Sequence, residues 1–245
     1  MRILLKIQYD GTHYAGFQRQ ANALTVQEKL ENILNRVLGE TIKLQAASRT
    51  DSGVHARGQM VSFCVDGIRI PLDRFPDVLN AALPEDISVV NSELVPDDFH
   101  PRFDAKQKTY TYSFLNTQKP NPFLSRYSFH VAKKLRLLEM QNACGYFLGE
   151  HDFAAFCATG GSQKTTIREI YDIGIAPREN GLIKLTVTGN AFLYNMVRII
   201  AGTVFYVGIG KLPASSVGDI IRSKQRARAG KTMPPHGLVL EEVLY

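Results

Sequence analysis

Apolar and polar side chains alternate at the start of the chain. In RILLKIQY, Ile3, Leu5 and Ile7 recur at every second position and lead to Tyr9, so residues 3–9 are read as a strand with one buried face. The period then changes. Val26, Leu30, Ile33, Leu34, Val37 and Leu38 recur at helical i, i+3, i+4 spacing, which puts them on one face of a helix. Thr25 and Glu28 in TVQE form a capping box, since a hydroxyl and a carboxylate can satisfy N–H groups left open at a helix start, and Gly39 ends the element. Apolar runs at 42–46 and 59–65 predict two strands, 74–83 a short helix and 87–94 another strand.

The second half repeats this order with different residues. Strands are expected at 109–115, 166–176 and 183–189, helices at about 134–148, 193–208 and 214–223, and a closing strand at 238–244. Each half therefore reads as a split βαβ unit. The expected fold is α+β: two ferredoxin-like (RRM-like) halves whose mostly antiparallel sheets join into one platform, with helices on one side. A boundary near 103–107 gives an N-terminal domain of 1–105 and a C-terminal domain of 106–245.

Composition narrows the setting. A chain of 245 residues, 44% hydrophobic and 21% charged, suits a soluble globular protein. The net charge of +6 points to an acidic partner, nucleic acid first. The charge is uneven: RSKQRARAGK (222–231) holds five cations and no acid, whereas 73–104 holds eight acids against Arg74 and Arg102. Cys64, Cys144 and Cys157 are far apart with no C-x-x-C pair, which argues against disulfides and structural zinc and fits a reducing compartment. MRILLKIQYD is too short and too charged for a secretion signal. The most apolar stretch, 196–210, is interrupted by Arg198 and falls short of the roughly 20 residues that span a bilayer. A cytoplasmic protein without membrane attachment is expected.

Candidate chemistry gathers first in SRTDSGVHARG (48–58). A polar turn on Asp51 and Gly53 is the simpler account. The sharper one makes Asp51 a covalent nucleophile, flanked by Arg49 and Arg57 and approached closely at Gly53. A metal is not expected: His55 lies four residues after Asp51, but no second ligand cluster has matching spacing, and His151-Asp152 reads as capping. YDGTHYAGFQRQ (9–20) is either a turn and loop or an RNA contact, with Tyr14 and Phe17 stacking and His13, Gln18 and Arg19 reaching phosphates or base edges. It is similar to the D-x-D-G-T of haloacid dehalogenase-type phosphotransferases, but their nucleophilic first Asp would fall at Gln8. Tyr110 and Tyr112 share a strand face, either as core or with one phenol as stacking surface or proton carrier. Arg198 lies on a helix with Tyr194, Asn195, Ala201 and Gly202 on its face, a setting for a partnered cation or a surface one. MPPHGL (233–238) is a rigid, irregular lead into the last strand.

Together these stretches closely resemble the tRNA pseudouridine synthase A family. Its core pattern G-R-T-D-x-G-V-H-A is matched by Arg49, Thr50, Asp51, Gly53, Val54, His55 and Ala56, and only the first glycine departs, as Ser48. The likeness extends in order through Tyr9-Asp-Gly-Thr, Gly16-Phe-Gln-Arg-Gln, the Tyr-x-Tyr strand, Gly149-Glu-His-Asp-Phe, Phe192-Leu-Tyr…Met-Val-Arg198 and Pro234-Pro-His-Gly-Leu238. The resemblance implies a cofactor-independent isomerase that converts uridines 38, 39 and 40 in the anticodon arm of tRNA to pseudouridine. It implies that Asp51 attacks C6 of uracil or C1′ of ribose, and that the uracil is detached, rotated and rejoined through C5. Tyr110 would stack on the base and take the C5 proton, Arg198 would pair with the aspartate, and Arg49 would fill the gap left by a flipped uridine. His55, Arg57, Tyr14, Phe17, Gln18, Arg19 and Leu238 are the expected further substrate contacts. A homodimer with basic clefts spanning both subunits is also implied. The competing reading is a non-catalytic RNA-binding protein or RNA chaperone on the same platform, which has no need of Asp51 beside Arg49 and lacks an RRM signature.

Overall fold

In the computed structural model, which describes residues 1–161 and 163–245, the opening alternation is strand β1 (Arg2–Tyr9), with Ile3, Leu5, Ile7 and Tyr9 buried and Gln8 exposed. Helix α1 (Val26–Leu38) starts as its capping signal predicts: the Thr25 hydroxyl accepts from the Glu28 N–H at 3.3 Å, and Gly39 closes the helix at φ 75°. Then come β2 (Gln45–Ala46), β3 (His55–Cys64), α2 (Phe75–Asn80) and β4 (Ile87–Val95). The rest of the chain is β5 (Gln107–Leu115), β6 (Phe129–His130), α3 (Leu137–Cys144), β7 (Gly149–Asp152), β8 (Ile167–Pro177), β9 (Leu182–Gly189), α4 (Met196–Gly208), α5 (Ser216–Ser223) and β10 (Leu238–Leu244). Two units divide it: Met1–Lys106 with Leu240–Tyr245, and Gln107–Val239.

In the first unit the strand order is β4-β1-β3-β10, and β1 runs antiparallel to both β3 and β4. Ile3, Leu5 and Ile7 share a face with their β3 partners Phe63, Val61 and Gln59. Helix α2 covers this face through Phe75, whose ring lies 6.4 Å from that of Phe63. The strand expected at 42–46 pairs only over Gln45–Ala46. Its earlier N–H groups are taken by side chains of α1: Ile42 donates to Asn35 Oδ1 at 2.6 Å and Leu44 to Glu31 Oε1 at 3.0 Å. Satisfied in this way, they need no ladder. Gly58 permits a close strand approach, since a Cβ there would stand 2.4 Å from the Glu241 carbonyl oxygen. The C-terminal Tyr245 docks on Phe99 at 4.8 Å and donates its hydroxyl to the Pro101 carbonyl at 2.9 Å.

In the second unit the order is β5-β9-β8-β7 with antiparallel β5–β9, β9–β8 and β8–β7 pairs, and β6 lies parallel to the end of β5. Both units are thus α+β with mostly antiparallel sheets; the first strand of one unit, β1, lies between β3 and β4, and the first strand of the other, β5, pairs with β9. Strands β6 and β7 were not expected: one has two residues, and the other is the polar GEHD with no alternation. Helix α4 begins at Met196 rather than 193, because Asn195 takes the left-handed conformation at φ 60°, which asparagine tolerates and a helix interior does not. Helix α4 is buried along most of its length, with Phe205 set against Phe114 at 6.1 Å and Phe129 at 5.8 Å. Segment 230–233 lies directly on α4: a Cβ on Gly202 would stand 1.8 Å from the Lys231 carbonyl oxygen. Among the described residues no helix is long and apolar enough to cross a membrane.

Gly202→Ala is expected to lower stability by about 1–3 kcal/mol or more, because its methyl has backbone on the far side rather than a side chain that can swing away. Urea denaturation read by circular dichroism checks this, and an unchanged midpoint would contradict the close approach.

Candidate active site

The Asp51 loop is locked on every side by the stretch that follows β1. The Thr50 hydroxyl is 2.6 Å from that of Tyr9, in a buried bond, and the Thr50 carbonyl accepts from the Phe17 N–H at 3.1 Å. The Tyr14 carbonyl accepts from the Ser52 hydroxyl at 3.2 Å and the Gly53 N–H at 3.3 Å. Val54 N–H closes a turn on the Asp51 carbonyl at 3.1 Å, with Gly53 at φ 76°. Gly16, at φ 90°, lets the loop come close, because a Cβ there would meet the Thr50 carbonyl oxygen at 2.7 Å. At the loop's start the buried Gln59 amide donates to the Ser48 carbonyl at 2.7 Å and accepts from its N–H at 3.2 Å. Among the described residues only Asn180, Asn195 and Lys224 besides glycines lie in the left-handed region, so Ser48 needs no glycine conformation. Asp51 itself is half-buried and Arg49 exposed. The carboxylate therefore sits on a turn whose neighbours Thr50, Ser52, Gly53 and Val54 are each hydrogen-bonded.

The residues expected to meet RNA divide. Gln18 and Arg57 are exposed, and Arg57 lies 3.4 Å from Glu241. Arg19 is half-exposed but tied to Glu31 at 3.0 Å and Glu28 at 3.6 Å. Tyr14 and Phe17 correct the expectation of stacking rings: they are 4% and 1% exposed. Tyr14 donates to Asp86 at 2.7 Å, and Phe17 packs against Tyr9 at 6.1 Å. Burial and then the Asp86 carboxylate push the Tyr14 phenol well above its ordinary range, so it remains a donor. His55 is also buried, its Nδ1 lying 3.0 Å from Asp10 Oδ1 and 3.1 Å from the Gly11 N–H. Protonated, Nδ1 donates to Asp10; bare, it accepts from Gly11. Residues 9–17 serve as the clamp on the Asp51 loop because their rings are needed to fill the core beneath it.

In the second unit, Tyr110, Tyr112 and Phe114 share one face of β5 opposite Val187, Leu185 and Ile183 of β9. Tyr110 is 6% exposed and lies edge-on to Phe192 at 5.2 Å. Tyr112 is fully buried and donates to the Pro234 carbonyl at 2.9 Å. Burial pushes its phenol well up against the pull of the Arg198 cation. Arg198 projects from the first turn of α4, where Nε donates to the Met233 carbonyl at 2.7 Å and Nη1 to Asn195 Oδ1 at 2.6 Å. Met233 N–H returns a bond to the Arg198 carbonyl at 3.2 Å. Two bonds on one planar fork fix its orientation. Leu238 is buried at the start of β10, and a Cβ on nearby Gly237 would meet the Tyr112 ring at 2.7 Å. The supporting bonds made by Tyr9, Thr50, Gln59, Asn195 and Met233 were not legible in the sequence, although the stretches that hold them were. Only Gly11 and Gly16, spaced within YDGTHYAG, hinted at a close backbone approach.

His151 and Asp152 lie on β7, and Asp152 accepts from the Ala154 N–H at 3.1 Å, the Thr166 hydroxyl at 2.6 Å and Lys224 Nζ at 2.8 Å. The bond from Lys224, then that from Thr166, holds its carboxyl below the usual range. Among the described residues no three His, Cys, Asp or Glu side chains gather as a metal site would require.

The tRNA pseudouridine synthase family model matches residues 6–104 and 143–245. Asp51 and Arg198 fall inside the matched segments, and Tyr110 falls between them. The chain is 49% identical to tRNA pseudouridine synthase A of Ruminiclostridium cellulolyticum, over 100% of this chain and 99% of the relative. It is 48% identical to the protein of that name from Acetivibrio thermocellus and 45% to that from Thermoanaerobacter sp., each over 99% of both chains. Among solved structures, the archaeal box H/ACA sRNP Nop10-Cbf5 complex aligns with 83% of this chain and 44% of that one, at 14% identity and a TM-score of 0.38; so loose a superposition says nothing about the site. The chain belongs to the tRNA pseudouridine synthase family. It is an isomerase that converts uridine to pseudouridine in tRNA.

Two outcomes follow from this geometry. Tyr9→Phe and Thr50→Val each remove one side of a buried hydroxyl pair and are expected to cost about 1–3 kcal/mol, while the double variant costs less than their sum because both lose the same bond; strict additivity in urea denaturation would deny the bond. For Asp152 the folded form favours the ionised carboxyl, so its stabilisation is full above the ordinary carboxylate range and fades as pH falls through the lowered folded value. Asp152→Asn is therefore expected to destabilise at pH 7 and to narrow its deficit in acid, measured as urea midpoints across pH.

Proposed function

We propose that this isomerase acts on uridines 38, 39 and 40 in the anticodon arm, with Asp51 as nucleophile, Tyr110 as stacking surface and proton carrier, and Arg198 as the cation that serves the aspartate. The observation that carries the Asp51 role is the Thr50–Tyr9 bond together with the Tyr14 carbonyl, which brace the residues on both sides of one carboxylate. The Asp51 oxygen bonds to C6 of uracil or C1′ of ribose; the C1′–N1 bond breaks; C5 then bonds to C1′, and the bond to Asp51 breaks to return the free carboxylate. The C5 hydrogen leaves as a proton and N1 ends with one, so the isomerisation needs no net proton and no redox partner. Arg49, exposed beside Asp51, is the side chain suited to fill the space of a flipped uridine. Exposed Gln18 and Arg57 are available to phosphates, which position the RNA without choosing a base.

A cytoplasmic setting is supported by three free cysteines at Cys64, Cys144 and Cys157. Burial pushes the Cys144 thiol up to about 12, so it is an inert core group. Action as a homodimer rests on the resemblance to the synthase A family. A purely RNA-binding role is not favoured, since the family isomerises uridine.

Release of tritium from C5-tritiated uridine in tRNA transcripts tests the assignment. Asp51→Ala is expected to abolish release while leaving tRNA binding nearly intact, and full release by that variant would remove Asp51 from the chemistry. Affinity is expected to fall as salt rises, because phosphate contacts release counterions; a salt-independent affinity, read by filter binding, would contradict the phosphate contacts.

A further inference from the structure

Between β5 and β6 the chain runs through QKPNPFLSRYS (118–128), and there Phe123, at 89% exposed, is the most exposed large apolar side chain among the described residues. The ring is not bare because its loop is slack. Asn121 Oδ1 accepts from the Phe123 N–H at 3.0 Å, the Leu124 carbonyl accepts from the Ser128 hydroxyl at 2.7 Å, and the Pro122 carbonyl accepts from the Ser125 hydroxyl at 2.8 Å. The Asn116 amide ties the loop's base to the Val131 and Lys133 carbonyls at 2.8 Å. Pro120 and Pro122 fix φ on either side of Asn121. The loop is an ordered support that displays one aromatic ring to solvent.

Charge says what that ring suits. Residues 105–138 contain seven Lys and Arg and no Asp or Glu. Lys119 and Arg126 are exposed on the loop, and Lys133, Lys134 and Arg136 just beyond it. The other strongly exposed ring, Phe103 at 73%, is a useful contrast: Asp104 is its neighbour, with Asp97 and Asp98 close before it in the chain. Acids there oppose a polyanion, whereas the chain around Phe123 carries none from 105 to 138. An exposed ring among cations is the arrangement that single-stranded nucleic acid recognises, with base on ring and phosphates on the cations. The family match stops at 104 and resumes at 143, so it assigns this segment no role.

We infer that Phe123 is a stacking platform for an unpaired base of the tRNA substrate, with Lys119 and Arg126 holding the adjoining phosphates. This rests on the tRNA activity and not on the roles given to Asp51, Tyr110 or Arg198. The chain contains no tryptophan, so Phe123→Trp installs a single fluorescent reporter at the platform. The tryptophan of that variant is expected to be quenched saturably by tRNA. Phe123→Ala is expected to raise KM about tenfold with kcat unchanged. Phe123→Leu, apolar but without a π face, is expected to behave like the alanine variant. Lys119→Ala with Arg126→Ala is expected to flatten the slope of log affinity against log salt by roughly 0.7–0.9 per lost phosphate contact. A tryptophan unquenched at saturating tRNA, an unaltered KM for Phe123→Ala, or full rescue by leucine overturns the assignment. So does a change in sedimentation of the RNA-free protein on Phe123→Ala, which would set the ring against a second copy of the chain. Quenching reads binding rather than turnover, so it separates failure here from failure of the Asp51 mechanism.

Discussion

The buried hydrogen bond between the Tyr9 and Thr50 hydroxyls joins the end of the first strand to the residue before Asp51, and the order of the surrounding loop depends on it. A loop that leaves a sheet must satisfy its own N–H and carbonyl groups, and this one does so almost wholly through the neighbouring stretch 9–17 and the Gln59 amide. Such a network is rigid only if the two segments approach within backbone contact. Gly11 and Gly16 make that possible: a Cβ on Gly11 would stand 2.0 Å from the Val54 carbonyl oxygen. The backbone path that carries Asp51 is therefore a property of the core beneath it.

The second unit meets the same need by a different route. Arg198 and Tyr112 are both held by carbonyls of consecutive residues, Met233 and Pro234, on a segment that the prolines keep irregular and Gly202 lets lie against α4. Carbonyls outside any ladder are available as acceptors, so the break in regular structure supplies the fixed points. The basic run 222–231 is partly absorbed into the same support. Arg226 donates to the Gly230 carbonyl at 2.9 Å and the Thr232 hydroxyl at 3.0 Å, and Lys231 sits over the Phe129 ring at 4.7 Å. A run of cations read as a nucleic-acid footprint is in part the frame that holds one cation in place.

Long periodic elements were legible from the chain alone, because β1, α1 and β9 are decided by side-chain alternation and capping that act over a few residues. Two of the misplacements share one cause. His55 to Gly58 look like loop residues yet begin β3, and residues 42–44 look like strand yet bond to the side chains of α1. In each case a partner outside the segment itself determined where the backbone groups were satisfied. Tyr14 and Phe17 were misjudged for a related reason: an aromatic in a polar loop has the composition of an RNA contact, and only the packing under Asp51 shows it to be core.

By itself the sequence determined the α+β order of elements, the cationic character and the ordered set of motifs that place Asp51, Tyr110 and Arg198 in one family's pattern. These are local or collinear properties, readable without knowing what touches what. Tertiary structure alone decided that residues 9–17 grip the Asp51 loop, that Arg198 is steered by Met233 and Asn195, and that Phe123 stands out on an ordered, acid-free loop. Burial and hydrogen-bond partnership arise between residues far apart along the chain, and no spacing along a strand or helix encodes them.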